Sequence, residues 1–330
     1  MKKKVVTIGG GTGSYTLLLG LKEYPFDIKA IVSMADDGGS TGRLRDELGV
    51  LPPGDVRQCL VALSGEDKML RKLFNYRFEK GQLSGHSFGN IMLSALEKMC
   101  GSFSNGLEAV MKILDIKGEV IPVTENNVEL FIRLKNGEIL RGESKINHSF
   151  HIEKTGLGKI FLKPKALANH KAIKAIKEAD AIIIGPGNYY CSLIPNLLVD
   201  GIVKAIRDSR AKLIYVANLV NKKGHTQGFF LEDYVNSIND LLGGRRIGYV
   251  IYNNSRPSRG LISKYKKRGE TLLEIKDRQS KKDFFLTEDN FLGKQSRQSS
   301  NFDVVASSRA LIRHDSLKLG KALANIIKER

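Results

Sequence analysis

The 330-residue chain has no tryptophan, only three cysteines and eight prolines, and far fewer acidic than basic residues. Cys59, Cys100 and Cys191 are odd in number and widely spaced. That spacing excludes a compact zinc site and argues against a disulfide framework, so buried free thiols in a reducing compartment are expected. No segment approaches the ~20 consecutive apolar residues of a membrane span. Met1-Lys2-Lys3-Lys4 runs straight into a strand, without the apolar stretch of a signal peptide. A cytoplasmic location is expected. The 14 Phe and 10 Tyr must supply the aromatic packing.

The deficit of carboxylates leaves a formal net charge of +18. Such a balance favours anionic partners such as phosphorylated metabolites, nucleic acid or an acidic membrane surface. A solvated lysine-rich surface accounts for it equally well. The lysines are dispersed along the chain, and only Lys264-Tyr265-Lys266-Lys267-Arg268 forms a tight cluster. No nucleic-acid-binding module accompanies that cluster, so charge alone does not make nucleic acid an expected partner.

Val5-Val6-Thr7-Ile8 is a short β-branched run that ends in glycines; a helix over Thr12–Lys22 and a strand over Ile28–Met34 are predicted next. The rhythm returns with a strand at Ala181–Ile184, the turn Gly185-Pro186-Gly187 and a helix over about Ser192–Arg207. A strand over Lys212–Ala217, a helix over Leu231–Leu242 and a strand over Ile247–Tyr252 follow. Near-continuous apolar strands alternating with helices predict a Rossmann-like, doubly wound, mainly parallel α/β sheet. Residues 43–115 read as a helical segment, and residues 119–162 as a small antiparallel insertion with Asn136-Gly137 as a type I′ hairpin signal. The expected division is a nucleotide-binding core over 1–255 and a basic C-terminal segment over 256–330 packing on it. That segment closes on a helix near Ser316–Lys328.

Gly9-Gly10-Gly11-Thr12-Gly13-Ser14 follows a strand and opens a helix. Glycines there allow a phosphate to approach the backbone N–H groups, and the helix N-terminus adds positive potential. Ser14 stands where a dinucleotide fingerprint has its third glycine, and no Walker lysine follows. Asp36 and Asp37, in a glycine-rich loop just past the second strand, could hold a hard cation such as Mg2+ or take a proton from a substrate hydroxyl. Arg43 suits bidentate phosphate contact. Asp55 reads as a helix N-cap, Arg57 as a further anion contact, and His86 and Asn90 as donors opening another helix. Gly185, Pro186, Gly187 and Asn188 repeat the first turn at a second strand end, with Ser192 and Asn196 nearby and Asn218 ending a third strand. Three strand ends presenting small and polar residues to one rim predict a ligand there.

Together these motifs, with Pro195-Asn196-Leu197-Leu198-Val199 and Leu311-Ile312-Arg313-His314-Asp315, resemble the CofD/YvcK-like family over nearly the whole chain. The bacterial branch, the gluconeogenesis factors, fits better than the 2-phospho-L-lactate transferase branch. The resemblance implies a regulatory protein linked to gluconeogenic growth, cell shape and wall synthesis that binds a UDP-sugar such as UDP-N-acetylglucosamine; a homo-oligomer is expected. The alternative it implies is a transferase moving a phospholactyl-type group from a GDP carrier with Mg2+, through Asp36 and Asp37. One departure is local. The segment Leu219–Gly228 replaces the Met-Thr-Gln-Pro-Gly-Glu-Thr-like run of the family, losing an acidic residue and gaining Lys222 and Lys223, so ligand preference would drift if that loop contacts base or sugar.

Overall fold

The computed structural model describes residues 1–65, 67–244, 246–293 and 311–329. Seven strands form one sheet in which every neighbouring pair is parallel. They are β1 (Lys4–Gly9), β2 (Asp27–Val32), β3 (Glu119–Pro122), β4 (Ala181–Ile184), β5 (Lys212–Val216), β6 (Tyr249–Asn253) and β7 (Phe285–Asp289). Their spatial order, β7-β6-β5-β4-β1-β2-β3, is the doubly wound order extended by one strand. The central strands are buried on both faces, as their unbroken apolar runs require: Val5, Val6 and Ile8 in β1, and Ala181 to Ile184 in β4.

Between β1 and β2 lies α1 (Gly11–Leu21). The helical segment between β2 and β3 comprises α2 (Gly39–Leu48), α3 (Gly54–Leu63), α4 (Lys68–Asn75), α5 (Phe88–Cys100) and α6 (Phe103–Ile113). The C-terminal helix Ser316–Lys328 crosses α1 at glycine-to-glycine distance. A Cβ on Gly20 would stand 1.9 Å from the Ser316 carbonyl oxygen, and one on Gly320 2.5 Å from that of Gly20.

Four expectations are corrected. Glu119–Pro122 pairs with β2 in the main sheet rather than with the insertion, since Val120 and Ile121 are core residues. The insertion is a three-stranded antiparallel sheet of Glu129–Leu134, Ile139–Arg141 and Leu157–Lys163, interrupted by helices at Glu143–His148 and His151–Thr155. Its hairpin is not type I′. Gly137 has φ +90° but Asn136 does not reach positive φ, and Gly137 N–H donates to the Leu134 carbonyl at 3.0 Å while Leu134 N–H donates to that of Glu138 at 2.8 Å. That is a type I turn followed by a glycine bulge. Finally, the helix expected over Ser192–Arg207 is broken into a π-turn Tyr189–Leu193, a short helix Ile194–Leu197 and a helix Ile202–Asp208. The break falls where Asp200 turns aside to bond the backbone of Ala166 and Ala168, and Gly201, at φ +102°, then caps the start of the last helix.

Residues 256–293 hold the helix Arg259–Lys267, a short strand Thr271–Leu272 paired with Val220–Asn221, and β7 at the sheet edge; residues 294–310 of the basic C-terminal segment lie outside the described residues. At the opposite end of the sheet, half-buried Lys22 donates to the Ser64 carbonyl at 3.3 Å. Burial, then the Arg71 guanidinium, lowers its pKa to about 8. Its charged form is therefore disfavoured in the fold, and the wild type should gain stability as pH rises from about 8 to 10.5. Lys22→Met should stabilise the protein by about 1 kcal/mol at pH 7 after solvent screening and lose that advantage above pH 10.5, as read by urea denaturation across pH.

Candidate functional site

The order reverses between β1 and β4, and there the two glycine turns meet. Gly13, in the first turn of α1, lies against the second turn: a Cβ on it would stand 2.0 Å from the Pro186 carbonyl oxygen and 3.0 Å from Gly187 N. Asn196 Nδ2 donates to the Gly9 carbonyl at 3.2 Å and to that of Ser192 at 2.8 Å, tying the segment after β4 to the end of β1. Ser14 is buried against Gly9. Gly187 N–H reaches the side-chain oxygen of Asn218, at the end of β5, at 3.3 Å. Three strand ends thus converge.

Above this junction is a cavity of about 270 Å³. Of the residues singled out from sequence, Thr12, Gly13, Pro186, Gly187, Asn188 and Asn218 line it. Gly9, Ser14 and Asn196 form the packed layer beneath, and Ser192 lies beside Gly10 and Gly11. The divergent loop supplies Leu219, Val220, Lys222, His225 and Thr226, and the C-terminal segment adds Glu270, Ile312, Arg313 and His314. Lys222 and Asn188 both donate to Asn147 Oδ1, which carries the wall into the antiparallel insertion. Burial lowers the Lys222 pKa. Burial also pulls His225 and His314 down to about 4, so both rings are neutral near pH 7. His225 Nε2 donates to the Ile146 carbonyl at 2.7 Å.

Beside the cavity stands a group of carboxylates. Asp55 is not an N-cap: α3 begins at Gly54 after Pro53, with no side-chain cap. Its carboxylate instead accepts from Gly11 N–H and packs on Gly10, where a Cβ would stand 2.2 Å from Asp55 Oδ2. The first backbone donor of α1 is therefore taken by a side chain of this protein. Asp36 accepts from Gly38 N–H at 2.9 Å and from Thr41, and packs on Gly54. Asp37 accepts from Ser144 N–H at 2.7 Å. Glu143, which sequence reasoning passed over, completes the group. Burial first, then the charges of Asp36 and Glu143, hold Asp55 well above the usual carboxylate range. Burial, then Asp36, raises Glu143 to about 7.

The remaining predicted residues lie on or behind α2. Arg57 Nε donates to Asn90 Oδ1 at 2.9 Å, and Arg57 also donates to Asn75 at 2.7 Å. Asn90 Nδ2 donates to Ser40 Oγ at 3.3 Å, and His86 Nδ1 lies 3.0 Å from the same hydroxyl. This buried network braces the first turn of α2. Arg43 is exposed and donates to the Ser84 carbonyl at 2.9 Å. Among the described residues no three His, Cys, Asp or Glu side chains stand at metal-ligating spacing, and no helix is long and apolar enough to cross a membrane.

The comparisons agree with this architecture. A Clostridium acetobutylicum protein provisionally named a gluconeogenesis factor is 39% identical over 99% of this chain and 70% of its own length. The gluconeogenesis factor of Bacillus subtilis is 36% identical over 99% of each chain. A crystal structure of a Bacillus halodurans protein superposes with a TM-score of 0.88 at 37% identity, covering 98% of this chain and all of its own. Residues 5–291 match the family described as 2-phospho-L-lactate transferase CofD, and the chain belongs to that family.

Proposed function

We propose that the protein binds a nucleotide-sugar of the UDP-N-acetylglucosamine type and acts as a regulatory binding protein affecting carbon metabolism and cell-wall synthesis. The observation that carries this reading is the cavity where two glycine turns meet at the switch point between β1 and β4, the place where doubly wound sheets bind nucleotides. Its chemistry suits a diphosphate flanked by a base and a sugar. Gly13 and Gly187 permit close backbone approach, Lys222 supplies a desolvated cation, and the neutral rings of His225 and His314 offer a less charged end. The core over 1–255 and the basic segment over 256–330 would then share one ligand between them. Calorimetric titration with UDP-N-acetylglucosamine, GDP, GTP and NAD tests it. A uridine ligand should bind most tightly, and failure of every uridine ligand to bind would sink the reading.

A second reading rests on the carboxylates. A CofD-like transferase using Asp36 and Asp37 would be served by a group in which Asp36, Asp55 and Glu143 are pushed up by burial and by neighbouring carboxylates, a pattern of functional sites. A divalent cation there would take one or two of these carboxylates and the phosphates of its ligand, as Mg2+ commonly does. Bound, such an ion would neutralise phosphate oxygens. Guanylate-linked transfer that disappears in Asp36→Asn would establish this reading in place of the first.

A further inference from the structure

The antiparallel insertion has one face in the core and one in solvent. Leu130, Ile132, Leu134 and Leu162 are buried. Opposed residues share a face in such a sheet, so the register fixes the composition of the other one. Phe131 pairs with Phe161 and with Arg141, Arg133 with Lys159 and Ile139, and Glu129 with Lys163. The two phenylalanine rings stack across the strands, centroids 5.5 Å apart and planes 13° apart. Lys163 Nζ lies 5.6 and 5.8 Å from their centroids, and the Arg141 guanidinium 5.9 Å from that of Phe131.

A cross-strand aromatic pair by itself stabilises a small sheet. That role asks only for two rings. Here they are half-exposed and framed by four exposed cations, Arg133, Arg141, Lys159 and Lys163, against the single carboxylate Glu129, which Arg141 engages at 2.8 Å. Planar rings among cations on an open sheet suit a strand of unpaired nucleotides: bases stack on the aromatics while Lys and Arg meet the phosphates. The excess of cations over one carboxylate fits a polyanion, in keeping with a chain charge of +18.

We propose that this face binds single-stranded nucleic acid, with Phe131 and Phe161 as the stacking platform and the four cations as the phosphate track. It is a site separate from the cavity at the switch point. Fluorescence anisotropy of labelled 12-nucleotide RNA and DNA oligomers with the full chain tests it. Saturable binding that weakens steeply between 50 and 200 mM salt is expected. Phe131→Ala with Phe161→Ala should weaken it about tenfold or more, while Phe131→Tyr with Phe161→Tyr keeps it, which separates stacking from loss of fold. Arg133→Glu with Lys159→Glu should flatten the salt dependence, whereas Lys264→Glu with Lys267→Glu, on the helix Arg259–Lys267, should leave the affinity within about twofold. The RNA and DNA arms identify which polymer is preferred, and preference for either supports the proposal. Absence of saturable binding at 50 mM salt, equal affinity for duplex and single strand, or indifference to the phenylalanine substitutions would overturn it.

Discussion

Gly13→Ala should cost the protein about 1–2 kcal/mol of stability and, if the cavity binds the proposed nucleotide-sugar, weaken that binding as well. Two effects oppose each other at this position. Gly13 is helical, with φ in the ordinary negative range, so intrinsic propensity favours alanine by about 1 kcal/mol. Packing opposes it. The new methyl would stand 2.0 Å from the Pro186 carbonyl oxygen and 2.6 Å from its carbon, and both are backbone atoms that no rotamer change can move away. Relief requires the two glycine turns to part, and those turns form the floor of the cavity. The overpacking term, typically 1–3 kcal/mol and sometimes more, is the larger. Gly260→Ala is the matching control. Gly260 also lies in the first turn of a helix, and nothing stands within 4 Å of its added Cβ, so that variant should be at least as stable as wild type. Urea denaturation of both variants, with calorimetric titration, checks the pair. A Gly13→Ala protein as stable as wild type would mean that the turns are not in contact.

Local signals made much of the fold legible. The helices at Leu231–Leu242 and Ser316–Lys328 have the bounds their apolar periodicity predicts, and the strand–glycine–helix units announce a doubly wound sheet. Other features depend on residues far apart in the chain. Glu119–Pro122 looks like part of an alternating run until its partner, β2, about 90 residues earlier, is known. Asp55 has the sequence setting of a helix cap, yet its partner is Gly11, and no local pattern reports that contact. Glu143 sits in a stretch whose alternation suggested strand rather than helix. Lys222 was visible as a departure from the family pattern, but its place in the cavity follows from how the loop after β5 returns over the switch point.

Glu143 also makes the two functional readings distinguishable by pH. Burial, with Asp36 nearby, holds its folded pKa near 7, above the ordinary carboxylate value of 4.5, so the fold binds a proton there through the neutral range. On the first reading, a metal-free site should bind UDP-N-acetylglucosamine more weakly as pH rises and Glu143 ionises, because the new negative charge would arise beside the cavity that takes an already fully charged pyrophosphate. If that ligand raises the Glu143 pKa by about one unit, affinity falls about tenfold between pH 6 and 9. Glu143→Gln should make the profile shallower, leaving the contributions of Asp36 and Asp55, whose carboxyls are also held up by burial. A site that works through a divalent cation predicts the opposite slope. The cation needs ionised carboxylates, so affinity in its presence would rise with pH and Glu143→Gln would weaken binding most at high pH. Calorimetric titrations at pH 6, 7, 8 and 9, with and without Mg2+, give the sign directly. A falling affinity without metal and no reversal with it favours the binding protein; reversal on adding Mg2+ favours the transferase.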